Sequence, residues 1–441
     1  MFEGKKVLVC GLKRSGLAAI GLLQKHRAVV TGTDTATTLF DEGEPRPMGV
    51  ELILGTTPEG FVHKFDFVII SPGISIYAGF VQKAKKLGIP VWGEAELAFY
   101  FCPCDVVGIT GTNGKTTVTT LVYEIMKKHN PGAVVAGNIG VPLCDIVPSL
   151  RENDIVVAEV SSFQLETMEL FRPKISCVLN MTPDHLDRHG SMEVYIAMKE
   201  KIFKNQRQND KVVLNYDNSI TKKMKPHCNV IYFSQQTRLE SGVFAHDGVI
   251  YAKDERLGER PIAKTSKIKV LTENALAATA ICLAAGASAK QIKETLENFS
   301  GVEHRLELVS TVDGVEYYND SKATNVDAAI KALESFTRPV VLIAGGHDKG
   351  ADFAPWVGLF KDKVSFLVLL GDTAEQIRNE CFLAGFTALC VENSLENAVN
   401  IARKMADGVV LLSPGCASFG MFTDFEDRGR QFKELVYAME N

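Results

Sequence analysis

The sequence predicts an α/β protein of three domains: a Rossmann-like N-terminal domain at residues 1–94, a central P-loop ATPase-type domain at 95–300, and a Rossmann-like C-terminal domain at 301–441. The first observation behind this prediction is the length of 441 residues, which is too great for one ordinary core. The second is that short apolar runs, typical of buried parallel strands, alternate with helical segments. The third is that polar or glycine-rich loops follow these runs, as at the ligand-binding edge of an open sheet.

Composition and charge narrow the class of protein. Apolar residues make up 46% and charged residues 23% of the chain, as in soluble globular proteins. The 48 basic and 53 acidic residues give a net charge of −5, which argues against a nucleic-acid partner bound through bulk charge. Ten cysteines without a signal-peptide pattern predict a reducing cytoplasm, and no apolar run reaches the roughly 18 residues of a membrane span.

The first domain begins with the plan of a nucleotide-binding βαβ unit. Its predicted elements are strand 5–10, helix 17–25, strand 29–34, strand 67–74, helix 81–87 and strand 88–92, followed by a connecting helix at 94–100. The turn between Gly11 and Gly16 lacks the middle glycine of the dinucleotide fingerprint. NAD, a nucleoside diphosphate and a domain without a ligand therefore remain open. Asp34 and Thr35 lie where a ribose or base contact is expected.

The stretch at 106–118, VVGITGTNGKTTV, carries the strongest motif. An apolar strand runs into a Gly/Thr/Asn loop, and a helix is predicted over 118–128. This is the pattern of a phosphate-binding loop, where backbone N–H groups and a helix N-terminus bind an anion. Lys115 would reach the β- and γ-phosphates, and Thr116 would hold Mg²⁺. Five residues separate Gly108 from Gly114 instead of the usual four, so the motif is a variant; a glycine turn that only caps a helix is the alternative.

Polar side chains follow later strands of the central domain. Glu159, near the end of strand 154–160, is placed to hold a metal ion, with a solvated strand end as the alternative. His185 follows strand 175–180 among acidic residues, and a Mg²⁺ or phosphate role is favoured over a structural one. Lys199 lies on a helix predicted at 195–205 and, like Lys201, would normally be a surface lysine. The other predicted elements are strands 133–136, 212–217, 230–233 and 248–251 and helices 273–285 and 290–299.

The third domain repeats the α/β pattern without a phosphate loop. Its predicted elements are strand 315–319, helix 326–333, strands 340–344, 364–370 and 408–414, and a closing helix at 431–439. Its strand-end loops carry charged side chains, namely Asp320, Lys322, Asp348 and Lys349. The physical interpretation is an ATP-dependent enzyme with its active site between domains, in which the outer domains bind two further substrates.

Six stretches in the same order together resemble the Mur ligases of peptidoglycan synthesis. They are GTNGKTT at 111–117, EVSSFQL at 159–165, residues 180–188, the pair His304-Arg305, NDSKAT at 319–324 and SPGCASF at 413–419. The similarity covers essentially the whole chain. The segments SSFQL and NDSKAT are most similar to the branch of the family that adds D-glutamate to UDP-N-acetylmuramoyl-L-alanine. The D-[ND]-P-R segment of the branch that adds diaminopimelate or lysine is absent from the sequence.

The resemblance implies a reaction through an acyl phosphate and assigns roles to residues. ATP phosphorylates the carboxylate of the UDP-sugar-alanine, and the amine of D-glutamate then displaces phosphate. The implied ATP-binding residues are Gly111, Thr112, Asn113, Gly114, Lys115, Thr116, Thr117, Asn274, Arg305 and Asp320. Two Mg²⁺ sites are implied, with Thr116 and Glu159 at the first and His185 at the second. Lys199 matches the family position that is carbamylated, which would make it a further metal ligand.

The two other substrates also receive implied residues. The UDP part would contact Arg14, Ser15, Asp34, Thr35 and Gly73, and the reacting end of that substrate would face Asn138 and Gln164. D-glutamate would contact Lys322, Thr324, Lys349, Ser418 and Phe425. The expected state is a cytoplasmic monomer.

One segment departs from the family pattern. Where the family has His-Asn, two residues and then Asn on the adenine side, this chain has KVLTEN at 269–274. Only Asn274 survives, which puts the adenine contacts of this segment in doubt.

Two alternatives remain at this stage. A folylpolyglutamate synthetase shares the fold and the acyl-phosphate chemistry, but it would not need a UDP-type first domain. A nucleotide-sensing regulator would bind without turnover, and the charged loops of three domains argue against it.

Overall fold

Three sheets of mostly parallel strands form the frame of the protein. The computed structural model describes residues 1–39, 47–138, 141–254, 258–347 and 350–439. It divides into two compact units: Met1–Met181 with Arg188–Phe299, and Thr182–Asp187 with Ser300–Asn441. The predicted α/β fold class is confirmed, because each sheet consists largely of parallel strands joined through helices.

The first sheet has five parallel strands in the order β3-β2-β1-β4-β5. Its elements are β1 (Lys6–Cys10), α1 (Arg14–Lys25), β2 (Val29–Asp34), β3 (Glu51–Leu54), β4 (Phe67–Ile70), α2 (Gly79–Lys86), β5 (Val91–Gly93) and α3 (Glu94–Phe101). Helix α1 begins three residues before the predicted start at 17. The first turn of that helix therefore includes Arg14 and Ser15.

The second sheet has nine strands in the order β14-β13-β12-β11-β10-β9-β6-β8-β7. Strand β13 is antiparallel to both of its neighbours, β12 and β14, and the other neighbouring pairs are parallel. The elements are β6 (Asp105–Thr110), α4 (Lys115–His129), β7 (Ala133–Gly137), α5 (Leu143–Ile146), β8 (Ile155–Glu159), α6 (Ser162–Leu165), β9 (Ile175–Val178), α7 (Leu186–His189), α8 (Met192–Glu200), β10 (Lys211–Asn215), β11 (Asn229–Ser234), β12 (Gly242–His246), β13 (Val249–Asp254), β14 (Gly258–Lys264), α9 (Thr272–Ala284) and α10 (Ala289–Asn298).

A shared hydrophobic core explains why the first two sheets form one compact unit. Phe2 and Trp92 from the first sheet belong to the same buried cluster as Leu143 and Val156 from the second. Removing apolar area of this kind from water stabilises by about 25 cal/mol per Å², so the contact between these sheets is part of the fold. A second cluster covers the opposite face of the nine-stranded sheet, where α4 packs against α9.

The third sheet has six strands in the order β15-β16-β20-β17-β18-β19, of which only β15 is antiparallel to its neighbour. The elements are β15 (Glu307–Val312), β16 (Val315–Asn319), α11 (Val326–Glu334), β17 (Val340–Gly345), α12 (Ala354–Val357), α13 (Phe360–Lys363), β18 (Val364–Leu370), α14 (Ala374–Leu383), β19 (Leu389–Val391), α15 (Leu395–Met405), β20 (Val409–Leu412) and α16 (Phe425–Tyr437). Separate buried clusters cover the two faces of this sheet.

The helix boundaries show where local signals were missed. The closing helix, predicted from 431, begins at Phe425 because the Asp424 side chain accepts the backbone N–H of Asp427 and caps it. The helix predicted at 195–205 begins at Met192, capped by Ser191, and ends at Glu200. The 3₁₀ helices are Pro58–Gly60, Val62–Lys64, Val147–Ser149, Lys201–Phe203, Thr221–Lys223 and Thr265–Lys267. None of the helices in the described ranges is both long enough and apolar enough to cross a bilayer.

Candidate active site

The phosphate loop of the first unit is residues 111–114, between β6 and α4. Gly108 lies inside β6, so the loop begins at Gly111 and not at the first glycine of the sequence pattern. Gly114 has a φ of +83° at the N-terminus of α4. A Cβ atom there would lie 2.5 Å from Oδ1 of Asn274, which a side chain could not tolerate without displacing that amide. The retained asparagine of the shortened segment therefore lies against the phosphate loop.

Hydrogen bonds from the end of β9 hold the loop in place. Asn180 accepts the backbone N–H of Asn113 through Oδ1 at 2.9 Å and donates from Nδ2 to the Asn113 carbonyl at 3.2 Å. The Thr112 hydroxyl lies 3.2 Å from the hydroxyl of Tyr195. Nζ of Lys115 donates to the carbonyls of Gly111 and Thr112 at 3.0 and 2.7 Å. The loop is thus ordered by the protein itself, which is the preorganisation that anion binding requires.

Glu159 presents a carboxylate oxygen that has no protein partner. The side chain is 2% exposed at the end of β8, and its Oε1 accepts a hydrogen bond from Nδ2 of Asn138 at 2.8 Å. Oε2 is buried without a hydrogen bond. A buried, unpartnered carboxylate oxygen is costly unless a ligand satisfies it. Carboxylate and hydroxyl oxygens suit Mg²⁺, so Glu159 and the buried Thr116 fit a magnesium ion.

Lys199 is buried, so the expectation of a surface lysine is wrong for this residue. It is 1% exposed, on the face of α8 that packs against the phosphate loop. Its Nζ donates to the Gly111 carbonyl at 2.8 Å and lies 3.4 Å from Oγ1 of Thr110 and 4.8 Å from the centre of the Tyr195 ring. Lys201 is also not a free surface lysine, because its Nζ donates to the Glu166 carbonyl and burial lowers its pKa.

A cavity of about 190 Å³ in the first unit collects four predicted substrate residues. Its lining comprises Arg14, Ser15, Pro72, Glu94, Ala95, Gly137, Asn138, Pro142, Leu143 and Gln164. Arg14 and Ser15 come from the first turn of α1, whereas Asn138 directly follows β7 and Gln164 lies on α6. Gln164 is held by a capping box, in which its Oε1 accepts the backbone N–H of Ser161 at 2.9 Å.

The other residues predicted to bind the UDP part lie elsewhere in the first unit. Asp34, Thr35 and Gly73 are not among the described residues that line the cavity. Asp34 accepts the backbone N–H groups of Leu12 at 2.8 Å and Ala36 at 3.0 Å, so it fixes the glycine turn. Thr35 and Gly73 are exposed.

Arg188 is a residue that the sequence interpretation did not assign a role. It forms two hydrogen bonds with the carboxylate of Glu166, at 3.1 and 2.6 Å. The same guanidinium donates to the carbonyls of Pro72 at 2.8 Å and Ile74 at 3.2 Å. Arg188 therefore ties the loop that contains Gly73 to Glu166, the residue that follows α6. Lysine lacks the geometry for such a bidentate contact with a carboxylate.

The second unit contains His185 and a cavity of about 460 Å³. His185 has a φ of +54°, and its Nε2 lies 3.6 Å from Oδ2 of Asp184. The cavity is lined by residues 182–186, 324–327, 350–353 and 415–417, together with Ile330, His347 and Pro355. The predicted D-glutamate contact Thr324 belongs to that lining. Of the four predicted metal ligands, Thr116, Glu159 and Lys199 belong to the first unit and His185 to the second.

The remaining predicted residues of the second unit are Lys322, Phe425, Ser418, Arg305, Lys349 and Asp320. Nζ of Lys322 lies 4.5 Å from the centre of the Phe425 ring, a cation–π arrangement. Ser418 is 4% exposed, and Nε of Arg305 is buried without a hydrogen bond. Lys349 lies outside the described residues.

Asp320 is buried directly after β16. Its Oδ2 accepts the Ser413 hydroxyl at 2.8 Å, and its Oδ1 accepts the backbone N–H of Leu306 at 3.2 Å. Burial raises the pKa of the Asp320 carboxyl to about 6, although Arg305 and the bond from Ser413 oppose this.

Asp320→Asn is expected to change the pH dependence of stability. The Asp320 pKa is about 6 in the folded chain against an ordinary 3.8, so the parent loses stability as pH rises through that window. The variant lacks this titration and should gain roughly 3 kcal/mol relative to the parent between about pH 4 and about pH 7. Calorimetric unfolding midpoints of parent and variant measure the difference. If the difference in unfolding midpoint between parent and variant stayed constant with pH, the raised pKa of Asp320 would be contradicted.

Arg428 is a second residue without a role at the sequence level. It is 2% exposed on α16 and donates to the hydroxyl and carbonyl of Ser321, at 2.9 and 2.7 Å, and to the carbonyl of Cys416 at 3.3 Å. Ser321 belongs to NDSKAT at 319–324 and Cys416 to SPGCASF at 413–419. One buried guanidinium therefore joins two of the segments that resemble the Mur ligases.

Arg428→Ala is expected to lower the stability of the second unit by about 3 kcal/mol or more. The substitution leaves buried carbonyls without donors and a cavity in place of the side chain. Calorimetry on the full chain measures the unfolding midpoint. Arg430→Ala is the matched control, since Arg430 is exposed on the same helix. Equal midpoints for the two variants would show that Arg428 does not hold the loops.

Three family models match the chain. The Mur ligase MurD-like N-terminal domain matches residues 5–93, the Mur ligase middle domain residues 109–282, and the Mur ligase glutamate ligase domain residues 304–416.

Full-length relatives and a solved structure agree with these matches. UDP-N-acetylmuramoylalanine--D-glutamate ligase from Pelotomaculum thermopropionicum is 46% identical, over 100% of this chain and 99% of the relative. The protein of the same name from Lachnoclostridium phytofermentans is 41% identical, again over 100% and 99%. The MurF ligase of Thermotoga maritima, solved in complex with ADP, is similar in fold, with a TM-score of 0.61 at 15% identity over 100% of this chain and 96% of that one.

Proposed function

Because this chain belongs to the Mur ligase family, we propose that it joins D-glutamate to UDP-N-acetylmuramoyl-L-alanine at the expense of ATP. The observation that carries the proposal is the full-length similarity to ligases of that name. The match of residues 5–93 to the MurD-like N-terminal domain also favours this reaction over that of a folylpolyglutamate synthetase.

In the first half of the reaction, the attacking carboxylate oxygen must lie in line with the bond between the γ-phosphorus and the leaving oxygen of ADP. The carboxylate of the alanyl group attacks the γ-phosphorus, ADP leaves, and an acyl phosphate remains. Lys115 binds the β- and γ-phosphates, and the N–H groups of the loop at 111–114 bind phosphate oxygens. Asn274, against Gly114, contacts the same nucleotide. The cavity lined by Arg14, Ser15, Asn138 and Gln164 supports the placement of the UDP-sugar in the first unit.

Mur ligases use ATP with Mg²⁺, and the first unit offers ligands for such an ion. Glu159, with its unpartnered Oε2, and Thr116 would hold one ion. A carbamylated Lys199 would be a further metal ligand of the first unit, and His185 of the second unit is the proposed ligand of a second ion. When bound, Mg²⁺ neutralises phosphate charge during transfer. A carbamate would convert the Lys199 amine, placed beside the phosphate loop, from a cation into an anionic ligand.

The second half of the reaction needs a neutral amine. The amine nitrogen of D-glutamate attacks the acyl carbon, a tetrahedral intermediate forms, and phosphate leaves as the amide forms and the amine loses a proton. Preorganised donors stabilise the charge that develops on the carbonyl oxygen. The two carboxylates of D-glutamate need cations and N–H or O–H donors. Lys322, Thr324, Lys349, Ser418 and Phe425 are the proposed contacts, and Arg305 and Asp320 are proposed to contact the nucleotide from the second unit.

The deciding experiment measures phosphate release from ATP, Mg²⁺ and UDP-N-acetylmuramoyl-L-alanine with one amino acid at a time. D-glutamate should support turnover, whereas L-lysine should not. Turnover with L-lysine alone would move the chain to another branch of the family. Release only with a folate substrate and L-glutamate would favour the synthetase, and no release with any acceptor would favour a nucleotide sensor. We further propose that the protein is a cytoplasmic monomer. Light scattering of the purified chain measures its molar mass and so tests the oligomeric state.

A further inference from the structure

Glu94 is a buried acid in the substrate cavity that the proposed reaction leaves unused. It is the first residue of α3 and is 6% exposed. Its Oε2 is buried without a hydrogen-bond partner, and its side chain lines the 190 Å³ cavity beside Arg14 and Ser15. A buried polar atom without a partner is destabilising, so a ligand that forms a hydrogen bond with it is favoured. Because Glu94 lines the cavity and its Oε2 has no hydrogen-bond partner, we expect a ligand in the cavity to contact this residue through Oε2.

The charge of the expected occupant conflicts with an ionised Glu94. The first turn of the 12-residue helix α1, with the cation of Arg14, is suited to a diphosphate. A diphosphate diester carries two negative charges, and a carboxylate in the same small cavity would repel it. The neutral acid, in contrast, has one O–H donor to offer a phosphate or sugar oxygen.

The surroundings of Glu94 favour the neutral form. Burial raises the pKa of the Glu94 carboxyl to about 7, although hydrogen bonds from its own backbone N–H and from Ser15 oppose this. Among the described residues that line the cavity, Arg14 is the other ionisable group. On α3 and the elements packed against it, the remaining ionisable groups are Lys25 on α1, Cys144 and exposed Asp145 on α5, and Glu96 and Tyr100 on α3. Cys144 donates from Sγ to the Glu94 carbonyl at 3.3 Å, and burial raises its thiol pKa.

We propose that Glu94 is a positioning residue that binds the UDP-sugar as the neutral acid, donating a hydrogen bond from Oε2 to an oxygen of the diphosphate or adjoining sugar. Binding then takes up a proton from solvent wherever free Glu94 is ionised. The proposal rests on the proposed function, because that function places a nucleotide-sugar in this cavity.

Titration calorimetry without ATP tests the proposal. UDP-N-acetylmuramoyl-L-alanine is titrated into the full chain from about pH 6.5 to about pH 8, in buffers that differ in ionisation enthalpy. The ligand phosphates are diesters and do not titrate in this range. With a Glu94 pKa of about 7, the Kd should rise about eightfold over this range, with uptake of close to one proton per ligand near pH 8. The KM for the same substrate should rise in parallel, with a smaller change in kcat.

The variant Glu94→Gln tests whether the ligand needs a hydrogen-bond donor or a carboxylate at this position. Glutamine keeps a donor at this position but cannot ionise, so its Kd should stay close to the low-pH value of the parent and lose its pH dependence. Glu96→Gln is the matched control, since Glu96 is 1% exposed on the same helix but is not among the described lining residues of the cavity. It accepts the backbone N–H groups of residues 169–171 and should leave the pH dependence of binding as in the parent.

Three outcomes would overturn the proposal. They are a parent chain whose affinity does not change with pH, a Glu94→Gln variant that retains the parent pH dependence, and a Glu94→Gln variant with weak binding at every pH. The third outcome would mean that the carboxylate itself is needed, as for a bound cation. UDP-N-acetylglucosamine is a second probe, and its binding should show the same pH dependence. Because this binding requires no turnover with D-glutamate, it tests the role of Glu94 separately from the proposed function.

Discussion

The Lys115→Ala variant is expected to lose turnover by a factor on the order of 10³ or more while keeping its fold. Lys115 is the cation at the start of α4, where the triphosphate is proposed to bind, and no other lysine of that helix lies at its N-terminal end. Its Nζ donates to two carbonyls of the loop itself, at 3.0 and 2.7 Å. Removing it therefore takes away phosphate neutralisation without opening the hydrophobic core. Phosphate release at saturating substrates measures the loss.

A control on the same helix separates charge from helix stability. Lys128→Ala removes an exposed lysine from the last turn of α4, and its turnover and unfolding midpoint should match those of the parent. The Lys115→Ala midpoint should also stay close to the parent value. If Lys115→Ala turned over at more than about a tenth of the parent rate, the lysine would not be stabilising the transferred phosphoryl group.

The residues that could be predicted from sequence are those whose chemistry is local. The loop at 111–114 and Lys115 are recognisable because a strand, glycines, a lysine and a helix follow one another within thirteen residues. The structure still changes one detail, since Gly108 belongs to β6 and the loop starts at Gly111. Glu159 could be predicted as a strand-end carboxylate, but neither the bond to its Oε1 from Asn138, on the neighbouring loop, nor the unpartnered state of its Oε2 could be.

The residues that could not be predicted depend on contacts between distant parts of the chain. From sequence alone Lys199 looks like an ordinary surface lysine. Its burial arises because α8 packs against the phosphate loop, 88 residues earlier. Arg428 bonds Ser321, 107 residues away, and Arg188 bonds Pro72, 116 residues away. No periodicity or local motif encodes such pairs. A buried arginine and a surface arginine can have the same local sequence, so the sequence alone does not distinguish them.

Short elements were missed for a related reason. Strands β3 and β19 have four and three residues, too few to show a period-two pattern. Each becomes a strand because it pairs in parallel with a long neighbour, β2 and β18 respectively. Tertiary pairing, and not intrinsic propensity, decides their structure.

The largest effect after that of Lys115 is expected at Lys199. Lys199→Ala should lose turnover by on the order of 10²-fold or more, because the proposed carbamate would supply a metal ligand beside the loop. Short carboxylic acids such as acetate or propionate should restore part of the activity. The substitution leaves a space lined by Thr110, Gly111 and Tyr195, and an acid small enough to enter it would return a carboxylate to that position.

The form of the rescue distinguishes a carbamate from a structural lysine. If Lys199 acts only as a buried cation that donates to the Gly111 carbonyl, short amines should rescue Lys199→Ala and acids should not. If the nitrogen carries a carbamate, acids should rescue, and the parent chain under ¹³C-labelled CO₂ should give a carbamate carbon signal that Lys199→Ala lacks. Lys204→Ala, at an exposed lysine of the following segment, should keep both the signal and full turnover. Rescue by amines without a carbamate signal would remove Lys199 from the proposed metal ligands, leaving Thr116 and Glu159 as those from the first unit.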